Sequence, residues 1–313
     1  MQLDMIKWIQ SFHSPALDEI MLWVTSAGGE DFYLLFGPIF FWCVGIGLGV
    51  RLCIILLGSF YLNDVLKESF ATLRPMLAHP DQIRMPADAA SSAGDGMGHW
   101  QGAFPSGHAQ HTVVFWSFVA LWLRRPAVWA AALAMIALVS LSRIYLGVHW
   151  PIDILGGWLV GAAVIAAAIF IPPLIERLAP RQRELLLIAA GVAGIALFLI
   201  DSSLFRAKML GFWSGALLSL VVQQRYLPFK VAGPLTMQLA KIAIGLGGVF
   251  LLRFGLKLVL PAALWAEWLR YGILGVWIIL GAPAIFRLLF GLPARGAEQE
   301  GETALPAERP AGA

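Results

Sequence analysis

The sequence predicts an all-α fold, a polytopic membrane helical bundle, and three observations predict it. Of 313 residues, 59% are hydrophobic and 13% charged, with a mean hydropathy of +0.77. A soluble domain of this size needs a more polar surface. The apolar residues fall in long runs, on the scale of the roughly 20 residues that cross a hydrocarbon core. The breaks between runs hold the cations, prolines and polar residues that belong in water.

Taken in order, residues 3–27 are amphipathic, with Trp8, Phe12, Leu17, Ile20, Met21 and Trp23 beside Asp18 and Glu19. This segment either crosses the membrane or lies at its surface. Spans are expected at about 31–48, 51–72, 107–123, 127–143, 153–172, 184–202, 208–223, 232–252 and 268–290. Several are short, so flanking residues must be counted in. Residues 255–267 are open, which makes nine or ten spans in all. The stretch 73–106 holds His79, Asp81, Arg84, Asp88, Ser91, Ser92, Gly94, Asp95, Gly96 and Gly98, and belongs in water. Residues 294–313, rich in Ala, Glu, Pro and Gly, read as a disordered tail. No basic region followed by a clean apolar core marks a cleavable signal at the start.

The net charge of +3 is small, and the cations are scattered in short loops, which argues against a nucleic-acid partner. Cys43 and Cys53 lie in apolar segments and read as unpaired packing residues. Nothing in the sequence bears on oligomeric state.

Three blocks carry the chemistry. The first runs from Lys67 to Arg74-Pro75, the second is Pro105-Ser106-Gly107-His108, and the third runs from Ser142-Arg143 through His149 to Asp153. In the first, Asn63, Lys67 and Arg74 are spaced to share a helix stripe, with Pro75 ending the helix. These residues are either cations snorkelling at a helix end or a phosphate clamp, with arginine supplying a planar fork. In the second, Ser106 sits where an N-cap belongs, so backbone N–H groups and the helix dipole favour an anion beside His108. Taken alone, it is also an ordinary capped helix start with a surface histidine. His111 reads as a packing or supporting residue. In the third, Pro151 suits a first helical position, and the four-residue spacing brings the Asp153 carboxylate within reach of one His149 nitrogen. The carboxylate would fix the tautomer and leave the other nitrogen free to attack. A structural His–Asp pair is the plainer reading, but it leaves Arg143 and a second histidine on that face unexplained. A zinc site built on His149, Asp153 and His108 lacks a ligand pattern and would sit among three cations, so no metal is expected.

Two crossings separate His108 from Arg143, so all three blocks share one face of the membrane. The opposite face receives Arg51, Arg124, Arg125, Arg177, Arg181, Arg183, Arg225 and Lys230, against Arg84, Arg206, Lys208, Arg253 and Lys257 on the block face. The positive-inside rule then puts the blocks outward. The expected location is a bacterial inner membrane with the site on the periplasmic or outer face. In a eukaryote that face would be lumenal.

In this order the blocks resemble the signature of the type 2 phosphatidic acid phosphatase family. Its superfamily includes lipid phosphate phosphatases, glucose-6-phosphatases and vanadium haloperoxidases. All eleven defined positions are present: Lys67, Arg74, Pro75, Pro105, Ser106, Gly107, His108, Ser142, Arg143, His149 and Asp153. The resemblance covers about residues 30–175. It implies a membrane catalytic domain at 1–176, additional C-terminal transmembrane helices (about four) at 177–293, and the tail at 294–313. It implies that His149 is the nucleophile forming a phosphohistidine, that Asp153 orients it and that His108 protonates the leaving oxygen. Lys67, Arg74, Ser106, the Gly107 N–H and Arg143 would bind phosphoryl oxygens, with no metal and no cofactor.

The function so implied is hydrolysis of a membrane lipid phosphate or pyrophosphate, with the lipid substrate and the bilayer as partners. The alternatives are a soluble phosphate ester as substrate, or transfer of the phosphoryl group to a second lipid. A transporter or scaffold on this fold has no need of His149, Asp153 and His108 together. Haloperoxidases resemble soluble proteins, and this chain does not.

Overall fold

A computed structural model of the chain describes residues 1–86, 102–200 and 203–291. It is 82% helical, and no strand occurs among the described residues. Asp88 to Gly98 of the expected aqueous loop, Asp201 and the expected tail at 294–313 lie outside the described residues.

Among the described residues, seven helical segments are long and apolar enough to cross a bilayer: Ile46–Ala78, Pro126–Tyr145, Pro151–Glu176, Pro180–Ile200, Leu204–Tyr226, Leu235–Val259 and Leu264–Phe290. The last four of these are the extra C-terminal helices that the sequence predicts. The expected spans at 31–48 and 107–123 are also helical but shorter. The helix at 107–123 has 17 residues, and the one beginning at Glu30 stops at Val44.

The contacts divide the chain into two units. The first comprises Met1–Leu34 and Ile55–Ile169; the second comprises Leu35–Ile54 and the described residues from Phe170 onward.

The first unit begins with α1 (Gln2–Gln10) and α2 (Pro15–Ser26). Ser14 caps α2 by accepting from the Leu17 N–H at 3.2 Å, and Pro15 takes the first helical position. At about 1.5 Å per residue, neither helix approaches the roughly 30 Å of a hydrocarbon core. Residues 3–27 are therefore two short helices broken at Ser11–Ser14. One face of the pair buries Ile6, Ile9, Met21 and Thr25; the other exposes Trp8, Phe12, Ile20 and Trp23.

After α3 (Glu30–Ile39), α4 (Ile46–Phe70) carries Asn63 and Lys67. It stops where Ala71 adopts a left-handed conformation (φ 45°), which an L-residue adopts at a cost of about 1–2 kcal/mol. This corrects the expected stripe. Arg74 is not on the helix of Asn63 and Lys67, and Pro75 ends no helix. Arg74 is instead the extended N-cap of the short α5 (Pro75–Ala78), with Pro75 at its first position. α6 (Gly107–Leu123), α7 (Pro126–Tyr145) and α8 (Pro151–Glu176) complete this unit's long helices. Close approach of α8 to α6 depends on glycine. A Cβ on Gly157 would lie 2.6 Å from the Ser106 carbonyl oxygen, and one on Gly161 2.9 Å from that of Gln110.

The second unit holds α9 (Pro180–Ile200), α10 (Leu204–Tyr226), α11 (Leu235–Val259), α12 (Leu264–Val276) and α13 (Ala282–Phe290). A π-helical turn at Trp277–Gly281 joins the last two, and another spans Phe40–Val44. α10 and α12 pack backbone to backbone where Gly211 and Gly215 meet the carbonyls of Trp268 and Gly272. The ammonium of Lys241, fully buried, donates to the carbonyls of Trp42 (2.7 Å), Val231 (2.6 Å) and Lys230 (3.3 Å). Residues 255–267, left open by the sequence, are the end of α11, a break at Leu260–Ala263 and the start of α12.

Candidate active site

Backbone bonds stitch the three sequence blocks together at one end of the first unit. The Thr72 carbonyl accepts from the Ala103 N–H at 2.9 Å, and its hydroxyl from the Phe104 N–H at 2.9 Å, which ties the first block to the second. The Trp150 indole donates to the Leu73 carbonyl at 2.9 Å, and the Met76 N–H to the Gly147 carbonyl at 3.2 Å, which ties the first to the third. The Ser106 N–H donates to the Asp153 carbonyl at 3.0 Å, which closes the ring.

Each chemical group sits at a helix boundary. Ser106 is the N-cap of α6, its hydroxyl accepting from the Ala109 N–H at 3.5 Å, and His108 projects from the first turn. Arg143 lies in the last turn of α7. His149 lies in the link 146–150, and Asp153 in the first turn of α8. The His149 Nδ1 is 3.4 Å from Asp153 Oδ2, which also accepts from the Trp150 N–H at 2.7 Å.

Lys67, Arg74, Ser106, Arg143, His149 and Asp153 are all buried, while His108 is partly accessible. Burial holds the His149 imidazole well below its usual pKa, and Arg74, Arg143, Lys67 and His108 act in the same direction. Those same three cations are the charged neighbours of His108, and the His111 imidazole lies near it as well. Lys67 also donates to the Gly102 carbonyl at 3.2 Å. The structure thus brings Lys67, Arg74, Ser106, Gly107, His108, Arg143, His149 and Asp153 to one place. An anion there would meet three fixed cations and a helix N-terminus, with two imidazoles alongside.

Behind this cup runs a buried amide chain of which the sequence yields only Asn63. Asn63 donates to Gln110 Oε1 at 2.8 Å and to the Pro105 carbonyl at 3.3 Å. Gln110 donates to the Ser59 hydroxyl at 2.8 Å, which lies 3.0 Å from His111 Nδ1. His111 therefore supports the turn rather than facing the cup. A glutamine two residues after His108 inside an apolar helix is the signal that could have exposed this chain. Thr25, Asp18 and Gln10 carry no such signal. Thr25 accepts from Arg143 Nη1 at 2.8 Å, and Asp18 binds both Arg84 nitrogens and accepts from the Tyr145 hydroxyl at 2.5 Å. Gln10 bonds the Arg84 carbonyl at 2.7 Å and the Tyr145 carbonyl at 2.8 Å.

Two family models match the chain. The PAP2 superfamily model matches residues 48–176, which contain all three blocks, and the model for the PAP2 superfamily phosphatase transmembrane extension matches residues 207–295. The chain belongs to the PAP2 superfamily. The PAP2 region is similar to an undecaprenyl-diphosphatase of Sulfolobus acidocaldarius, 34% identical over 117 residues, which are 37% of this chain and 50% of that protein. It is similar to phosphatidylglycerophosphatase B of Bacillus subtilis, 29% identical over 160 residues, which are 47% of this chain and 71% of that protein. A crystal structure of a PAP2-type phosphatidylglycerolphosphate phosphatase from Bacillus subtilis aligns with a TM-score of 0.45 and 24% identity, covering 57% of this chain and 87% of that one. The chain spans about half the length, or less, of most curated relatives it matches. Together the two PAP2 models cover the segment that holds the three blocks and most of the C-terminal helices, and α1 to α3 lie outside both models.

Proposed function

We propose that the protein is an integral-membrane, metal-independent phosphatase that hydrolyses a lipid phosphate or pyrophosphate through a phosphohistidine on His149. The observation that carries this reading is the buried His149–Asp153 pair at 3.4 Å, with Lys67, Arg74 and Arg143 as its charged neighbours. Asp153 holds the proton on Nδ1, so the Nε2 lone pair is free to attack phosphorus. As the N–P bond forms, the imidazole becomes cationic and the carboxylate stabilises it. The P–O bond to the lipid breaks, and His108, protonated once the phosphate dianion offsets the surrounding cations, gives its extra proton to the departing oxygen. The cations, the Ser106 turn and the Gly107 N–H stabilise charge on the three equatorial oxygens. Water then attacks phosphorus, His108 takes a proton from it, and the N–P bond breaks to release phosphate and neutral His149.

A lipid substrate is supported by the place of the cup at the ends of membrane-spanning helices, and by the lipid phosphatases among the similar proteins. The excess of Lys and Arg on the opposite face supports an outward, periplasmic site. The 1–176 segment acts as the catalytic domain and 177–293 as an accessory membrane domain, consistent with the separate family matches.

The test is phosphate release by purified protein in EDTA from phosphatidic acid, phosphatidylglycerophosphate, a polyprenyl diphosphate, a sphingoid-base phosphate and glucose 6-phosphate. Release from at least one of the lipids, abolished in His149→Ala, is the expected result. Full activity of that variant removes the nucleophile, and release from the sugar phosphate alone removes the lipid. Radiolabel that passes from the donor into a second lipid would make the protein a transferase.

A further inference from the structure

We infer that the N-terminal helix pair α1–α2 is part of the catalytic unit, with Thr25 as a positioning residue that sets the guanidinium plane of Arg143. The inference rests on the reading of Arg143 as a phosphoryl ligand. It concerns residues upstream of the PAP2 match, which begins at residue 48.

Thr25 and Arg143 are 118 residues apart in sequence, and both are almost fully buried, at 1% and 0% exposure. The hydroxyl of Thr25 accepts from Arg143 Nη1 at 2.8 Å. A guanidinium is planar and rigid, so fixing one nitrogen restricts the orientation of the whole fork. That orientation decides whether two parallel N–H donors meet two oxygens of one phosphoryl group.

The turn that follows α2 also reaches the second imidazole. A Cβ on Gly28 would lie 3.1 Å from His108 Cδ2 and 3.0 Å from Thr112 Oγ1, and one on Gly29 would lie 3.8 Å from His108 Nε2. The segment from Thr25 to Gly29 therefore forms a wall shared by Arg143 and His108.

The wall is anchored at its other end. Asp18, seven residues before Thr25 and so on the same helix face, takes both Arg84 nitrogens and the Tyr145 hydroxyl. Tyr145 is two residues beyond Arg143. Gln10 on α1 binds both the N–H and the carbonyl of Arg84, at 3.0 and 2.7 Å, and the Tyr145 carbonyl. α2 is thus clamped to the end of α7 at the arginine and two residues beyond it. Its polar contacts with the catalytic helices cluster around Arg143.

The test uses the full chain in detergent micelles, with Thr25→Val, which keeps the shape and loses the hydroxyl, and Thr25→Ser, which keeps the hydroxyl. Readouts are kcat and KM for phosphate release from a short-chain phosphatidic acid, the inhibition constant of inorganic phosphate, and Tm. Thr25→Val should weaken phosphate inhibition and lower kcat/KM by about tenfold to a hundredfold, the scale of one hydrogen bond to a charged group. Thr25→Ser should stay within about threefold of wild type, and Thr25→Val added to Arg143→Ala should cost no more than Arg143→Ala alone. Wild-type kinetics in Thr25→Val, or additive losses in the double variant, would overturn the inference. If Thr25→Val does not fold, Thr25→Ala takes its place under the same criteria. If the wild type releases phosphate from no substrate, the proposed activity fails, and the rise of Tm with inorganic phosphate compared across the same variants still decides the role of Thr25.

Discussion

Replacing Asp153 by asparagine should remove catalysis while leaving the site assembled. Asp153 Oδ2 serves two donors, the Trp150 N–H at 2.7 Å and His149 Nδ1 at 3.4 Å. An asparagine can keep the first of these with its amide oxygen. Its NH2 then faces Nδ1, and the imidazole moves its proton to Nε2, where the attacking lone pair has to be. The carboxylate is lost as well, just when the imidazole becomes cationic. Opposite unit charges at 3.4 Å attract by about 5 kcal/mol at an effective dielectric constant of about 20. A hydrogen bond to a charged group is worth about 1.5–3 kcal/mol net. The loss should fall between these values, so kcat is expected to drop about 10²–10³-fold, at 1.36 kcal/mol per tenfold. KM should move by less than about threefold, because Asp153 acts through His149 and not on the phosphoryl oxygens. The assay is steady-state phosphate release with Tm measured in parallel. A variant that folds and keeps kcat within about threefold of wild type would refute the pairing as the source of activation.

Other expectations follow from the same geometry. Arg74→Lys and Arg143→Lys keep the charge and lose the fork, so the inhibition constant of inorganic phosphate should rise about tenfold in each; changes below about twofold would argue against two-point recognition. Inorganic phosphate should raise Tm by linkage, stabilising the wild type by about 2.7 kcal/mol at 100 times its Kd, and should do so much less in Arg143→Ala. Because burial and the neighbouring cations hold His149 neutral below its ordinary pKa of 6.5, the unfolded chain binds this proton first as pH falls. That contribution to stability is present above 6.5 and is lost as pH drops below it. The loss of unfolding free energy between about pH 7 and pH 5.5 should therefore be smaller in His149→Gln, and an equal loss would contradict the assignment. Gly157→Ala places a methyl 2.6 Å from a backbone oxygen, which should lower stability by about 1–3 kcal/mol; an unchanged Tm would mean that α8 moves freely against the Ser106 turn.

What the sequence discloses and what it hides divide along the range of the interactions. Apolar runs locate the long helices, and the three blocks locate the cup, because both are patterns within a few turns. Helix starts come out late where a proline opens the helix, as at Pro126 and Pro180, whereas Pro151 is read as a first helical position and is one. A hydropathy run does not count proline, although its fixed φ suits a first turn. The end of α4 at Ala71 is not legible, since an alanine with positive φ has no local marker. That break is what separates Arg74 from the stripe of Asn63 and Lys67. The split of residues 3–27 at Ser11–Ser14 is legible in hindsight, as a serine before a proline. The contacts of Thr25 with Arg143 and of Asp18 with Tyr145 join residues more than 100 positions apart and leave no trace in local pattern.

Buried cations occur in both units, and the contrast between them separates structure from chemistry. Lys241 is fully buried and directs its ammonium at three carbonyl oxygens, so all three of its donors have fixed acceptors. Such a group binds two backbone segments together and has no capacity left for a ligand. Lys67, Arg74 and Arg143 are also buried, and the titratable groups that feel one or more of them are the imidazoles of His108, His111 and His149 and the Asp153 carboxylate. Like charges gathered in a low-dielectric bundle are costly unless groups of opposite sign offset them. A bound phosphoryl group, with two negative charges spread over three oxygens, is such a group. The greatest relief comes when those oxygens lie in the plane between nucleophile and leaving group. On the proposed reading these cations bind the transition state more tightly than the ground state, which is the form in which binding energy accelerates a reaction. On that reading the contacts that hold this arrangement, from the Thr72 bridge to the contact of α2 with Arg143, serve catalysis alongside the residues that meet the substrate.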